Sequence, residues 1–195
     1  MALVQAPGGA AADGRTRRGA RNREAIIDAL LACYHDGVLS PSVHEVAERA
    51  GVSARSVHNH FVDFEALRIE VAQRQWEGAV ALASLLDVEL PFPARVEQLV
   101  EQRAAIWEQV TPVRRAALLQ LPDSPAIASR LGQADRALRR QIDRGFPEID
   151  AEVLDAVDAL LSWDTWNRLR QAQGLGIARA KRVLVRSVQT LVEAA

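Results

Sequence analysis

Two helix-start signals and one helix-stop signal crowd the stretch from Ser42 to Phe61, and they restrict the fold more than any other feature. Ser42 and Glu45 form an S-x-x-E capping box ahead of the apolar positions Val43, Val46, Ala47 and Ala50. Gly51 follows at once, where a helix end takes a residue that tolerates positive φ. Ser53 can cap a third short helix, and its Val57 and Phe61, four apart, share one face. The run allows two short helices joined by a tight turn. Ala47 and Gly51, one turn apart, are small where two steeply crossing helices would touch. Val57 and Phe61 would then pack against Val46, Leu67 and the first helix.

The rest of the chain repeats helical spacing and shows no strand alternation. Ile26, Ile27, Leu30, Leu31 and Tyr34 recur on one face, with Gly37 placed to end that helix. Phe64, Leu67 and Val71 begin a long fourth helix reaching past Trp76 towards Leu86. Pro91 and Pro93 separate it from a fifth, carrying Val96, Leu99, Val100 and Trp107. Thr111-Pro112 and Ser124-Pro125 each pair a capping residue with proline at the first helical position, which predicts two more helix starts. Gly145-Phe146-Pro147 precedes a helix from about Ile149 to Gln171, and Gly174-Leu175-Gly176 turns the chain into a last one. The expected fold is all-α, with about nine helices. Residues 1–18 read as a disordered basic arm, 19–67 as a helix-turn-helix head, and 68–195 as a helical body.

Composition narrows the classes. Nearly half of the 195 residues are apolar, enough for a core. No apolar run approaches the roughly 20 residues of a membrane span, and no apolar signal core opens the chain. Cys33 is the lone cysteine, so neither an intramolecular disulfide nor a thiolate metal cluster is available. A cytoplasmic location follows. His58 and His60, two apart on a helix, point to different sides, so no metal or other cofactor is expected. An enzyme built as a helical bundle fares badly, because there is no Gly-rich phosphate loop, no metal spacing and no Ser/His/Asp grouping outside the head.

The residues left facing outward on the third helix suit a nucleic acid. Arg55 can give a bidentate pair to guanine and Asn59 the same to adenine. Ala54 lies beside them. Ser42, Ser53, Ser56, His58 and His60 suit phosphate oxygens, and Val43 begins a helix whose free N–H groups face a phosphate. The net charge of −1 does not advertise such a partner, but DNA contact depends on where positive groups lie. Arg15, Arg17, Arg18, Arg21 and Arg23 form a run free of acids, readable either as a solvated tail or as an arm reaching phosphates or the minor groove.

Val46-Ala47, Ala50-Gly51-Val52-Ser53 and Ser56-Val57-His58-Asn59-His60-Phe61 together resemble the TetR (tetracycline repressor) family pattern I-A-x-x-A-G-V-S-x-x-T-[LIV]-Y-x-H-F. The resemblance covers roughly residues 20 to 70. It implies one DNA-reading head on an all-helical body, acting as a ligand-responsive transcriptional regulator, most often a repressor. Two positions depart from the pattern. His58 stands where the family usually has tyrosine, and Phe64 where lysine often follows the H-F. Both argue for fewer phosphate contacts, and they leave open a helix-turn-helix module that no longer binds DNA.

The body suggests two further partners. Leu154, Val157, Leu161 and Leu169 put apolar groups on more than one face of the eighth expected helix, and Val185 and Val188 add to the ninth. A homodimer through these two helices would match a palindromic operator, as the resemblance also implies. The aromatic residues Trp76, Trp107, Phe146, Trp163 and Trp166, with Arg103 as a polar group, are candidates for an inducer pocket, although plain core is the competing reading.

Overall fold

The computed structural model describes residues 9–195, with side chains from Thr16 onward. It is all-helical among those residues. The helices are α1 (Gly9–His35), α2 (Val43–Arg49), α3 (Ala54–His60), α4 (Phe64–Val80), α5 (Phe92–Gln120), α6 (Pro125–Gly145), α7 (Ala151–Leu160), α8 (Trp163–Asn167) and α9 (Ile177–Glu193), with a π-helical turn, Arg168–Ala172, continuing α8.

Three departures from the expected layout have local causes. Residues 9–18, expected in a disordered arm, extend α1 instead. Alanine and arginine there are good helix formers without proline, so a helix nucleated by the buried Ile26–Tyr34 segment propagates backwards. Residues 1–8 of that expected arm lie outside the described residues. Next, Thr111-Pro112 starts no helix, because α5 runs straight through Pro112. The Thr111 hydroxyl turns back to donate to the Trp107 carbonyl, and burial of Trp107, Val110, Val113 and Ala116 holds both sides together. Last, the single helix expected after Ile149 breaks at Leu161. Ser162 caps α8 there, its hydroxyl accepting from Thr165 N at 3.3 Å.

Two apolar clusters hold the molecule. The first joins α1, α2, α3 and the start of α4 through Ile26, Leu30, Val46, Val57, Phe61 and Leu67. It also includes Val113 and Ala116 from far along α5. The second is the body, where α5 packs against α4, α6, α8 and α9, and α7 against α6 and α9, around Leu99, Ile106, Trp107, Ile142, Trp166 and Leu184. Ion pairs tie α4 to α1: Arg23 meets Glu70, and Arg74 lies 2.9 Å from Glu24 and 3.1 Å from Asp28. No helix among the described residues is long and apolar enough to cross a membrane.

Candidate nucleic-acid interface

Each boundary of the α2–turn–α3 unit has a visible cause. The Ser42 hydroxyl accepts from Glu45 N at 3.2 Å while the Glu45 carboxylate accepts from Ser42 N at 2.7 Å, a complete capping box. Hydrogen bonding from Ser42 holds the Glu45 carboxyl below the usual range. At the other end, Gly51 adopts φ +66°. Val52 N donates to Ala47 O at 3.0 Å and Gly51 N to Glu48 O at 3.1 Å, the paired bonds of a Schellman end. Ser53 caps α3 by accepting from Ser56 N at 3.1 Å. The turn is made by its cap residues.

Gly51 has one of its two expected roles. Ala47 is buried at the helix crossing, but nothing lies within 4 Å of the place a Cβ on Gly51 would occupy. Its smallness is unused; its left-handed backbone is the requirement.

Val57 and Phe61 lie buried in the first cluster and anchor α3. Each buried side chain of this size stabilises by about 1.5–3 kcal/mol. The Arg23 guanidinium covers the Phe61 ring at 4.9 Å, so this member of the arginine run has a packing role. That leaves Arg55, His58 and Asn59 exposed on the opposite face, and Ser53 exposed at the cap. None of the side chains of Arg55, His58 and Asn59 has a hydrogen bond or ion pair among the described residues. Ala54, Ser56 and His60 are half-buried at the flanks, as is Val43 at the start of α2, whereas Ser42 is exposed. A Cβ on Gly19 of α1 would come 3.9 Å from His60 Cε1, so the N-terminal half of α1 passes beside the end of α3. Arg17, Arg18 and Arg21 are exposed along that half. Arg15 also falls within α1, where its side chain is not described. The arginines expected on a flexible arm are therefore arrayed on a helix.

Phe64 is occupied elsewhere. Arg68 stacks over its ring at 4.7 Å and donates to Gln120 Oε1 at 2.9 Å, fastening the start of α4 to α5.

The pocket candidates separate. Trp76 and Trp107 line one cleft between α4, α5 and α6, with Arg114 and Arg130 beside them. Its cavity volume is about 50 Å³, far below the roughly 300–1,000 Å³ of a small-molecule site. Arg103, Phe146, Trp163 and Trp166 do not line it. Arg103 is 1% exposed and donates to Leu138 O at 2.7 Å, and burial pushes its pKa down to about 10. Phe146 sits edge-on to Phe92 and under Arg95. Trp163 Nε1 donates to Thr111 Oγ1 at 3.0 Å and Trp166 Nε1 to Glu108 Oε1 at 2.9 Å. These four are core residues, and the terminal nitrogens of Arg103 and both indole N–H groups already have partners. Sequence reasoning missed Arg114 and Arg130; their only signal was helical register with Trp107 and the start of α6.

The interface candidates also need correction. Leu154, Val157, Leu161, Leu169 and Val188 are buried within the single chain, which leaves each of them little surface to offer a second one. Val185 is half-buried. Apolar residues on several faces of this region serve several neighbours in one chain: α7 and α8 pack against α5, α6 and α9 at once.

No family model matches the chain, and no curated protein does. Solved structures do. A transcriptional regulator from Rhodococcus sp. Rha1 superposes with a TM-score of 0.70 at 17% identity, covering 91% of this chain and 97% of its own. A protein described as a TetR-family transcriptional regulator, from Mesorhizobium loti MAFF303099, gives 0.70 at 21% identity over 91% and 98%. A TetR-family transcriptional regulator from Streptomyces coelicolor gives 0.72 at 17% identity over 87% and 79%. The chain has the fold of these regulators along nearly its whole length.

Proposed function

We propose that this chain is a TetR-family transcriptional regulator that reads a palindromic operator as a homodimer and releases it, as a repressor would, when a small molecule enters the body. One observation carries the reading. Arg55, His58 and Asn59 stand exposed, and without partners among the described residues, on a short helix fixed from behind by Val57 and Phe61. Exposed groups of this chemistry on a rigid scaffold are what base edges in a major groove require. In this reading Arg55 and Asn59 read bases, while Ser42, Ser53, Ser56, His58, His60 and the amide of Val43 hold phosphates, with Ala54 in apolar contact beside them. Arg17, Arg18 and Arg21 of α1 extend the phosphate contacts. Residues 19–67 act as the head and 68–195 as the ligand-binding and dimerising body.

Charge supports the dimer. The outward side of α9 carries Arg179, Arg182 and Arg186 around the exposed Val183, whereas the exposed side of α7 carries Glu152, beside Asp155, which also pairs with Arg139. Two copies can set one face against the other, with Val185 at the margin. Selection of bound duplexes from random DNA tests the whole reading. Recovery of a palindrome is expected, and no enrichment would overturn it.

A further inference from the structure

The cleft between α4, α5 and α6 has a lining whose chemistry selects among ligands. Its walls are the indoles of Trp76 and Trp107 with small aliphatic groups such as Val110 and Ala134. Flat rings with polarisable faces pack best against such surfaces. Two cations stand at the same cleft. Arg114 is fixed between the rings of Trp107 and Trp163, 5.7 and 5.5 Å from their centroids. It gives both terminal nitrogens to Asp135, at 2.9 and 3.1 Å, yet its buried Nε has no partner among the described residues. Arg130 has neither an ion pair nor a hydrogen bond among the described residues. Asp135 thus balances one arginine and leaves the other unbalanced beside an apolar cavity.

We propose that this cleft takes an aromatic carboxylate, its ring lying between Trp76 and Trp107 and its anion meeting Arg130 and the free Nε of Arg114. This rests on the ligand-responsive reading above and names the chemical class of that ligand. A cavity of about 50 Å³ does not admit even a single benzene ring with its substituent, so the ring enters by parting α4 from α5 and α6. Gln75 closes that seam, donating to the Gln109 carbonyl at 2.7 Å. Parting it has a consequence for the head. Ala72 and Val113 line the cleft and also pack in the head's own cluster, so movement at the cleft is felt beneath α1 and α3.

Calorimetric titration of the full chain with naphthoate and with the neutral isostere naphthylmethanol tests the proposal. Naphthoate should bind roughly tenfold or more tightly than the alcohol, the worth of a charge-assisted hydrogen bond. Arg130→Gln should erase that preference while leaving binding of the alcohol unchanged, and Arg130→Lys should restore most of it. Arg130 is half-exposed and makes no hydrogen bond or ion pair among the described residues, so these variants should fold. Equal affinity for the two compounds, an unchanged preference in Arg130→Gln, or no saturable heat from either compound would overturn it. The titration contains no DNA, so its failure is distinguishable from a failure of operator selection.

Discussion

Replacing Gly51 separates two explanations of the turn between α2 and α3. The residue sits at φ +66° with open space around the site of a Cβ. Gly51→Ala therefore meets no clash, and its cost is the intrinsic penalty of a left-handed L-residue, roughly 1–2 kcal/mol. Stiffening of the unfolded chain does not rescue a substitution whose native φ is positive. Gly51→Asn should cost less than alanine, because asparagine visits this region more readily even though its side chain is larger. Urea unfolding of the three proteins, followed by far-ultraviolet circular dichroism, measures both differences. The order glycine, asparagine, alanine in falling stability is expected. If asparagine proves worse than alanine, size would matter at this position, and the backbone argument would be refuted.

Other outcomes are expected elsewhere. Arg55→Ala should relax preference at one base position and cost on the order of 1–3 kcal/mol in operator affinity, whereas uniform weakening across sequences would make it a phosphate contact. Arg18→Ala and Arg21→Ala should each lower the slope of log affinity against log salt by about 1, as measured by anisotropy titration; an unchanged slope would remove α1 from the interface. The Glu108 carboxyl is held below its usual value of 4.5, first by the hydrogen bond from Arg170 and also by that from Trp166. Its contribution to stability is therefore complete above about pH 4.5 and is lost as pH falls through the lowered folded value. Glu108→Gln should flatten that part of the acid-denaturation profile. A Cβ on Gly145 would lie 2.3 Å from Leu86 Cδ1, so Gly145→Ala should destabilise, and adding Leu86→Ala should recover part of the loss in a double-mutant cycle.

The head was legible because its signals are local. A serine three residues ahead of a glutamate, a glycine just past a helix end and an aromatic one turn after a valine act through neighbours in sequence. All five positions lie where those signals put them. What escaped reading depended on distant partners. Pro112 carries a start signal in every local sense, yet it lies inside α5 because burial on both sides outweighs one missing hydrogen bond. Ser162 carried a legible cap that the long apolar run around it obscured. Leu154 and Val188 read as surface for a second chain only because three helical neighbours in one chain are invisible to periodicity. Trp163 and Trp166 look the same as Trp76 in sequence. Their indole N–H groups, satisfied across more than fifty positions of chain, set them apart.

Val113 and Ala116 lie in the head's core although more than forty residues of chain separate them from α4's first turn. A protein engineer who grafted this head onto another helical body by cutting within α4 would leave that core missing two of its side chains. The transferable unit is not a continuous stretch of sequence. To move the α2–α3 unit between chains of this fold, one must substitute the exposed residues of α3 on their existing support, or carry the middle of α5 along with the head.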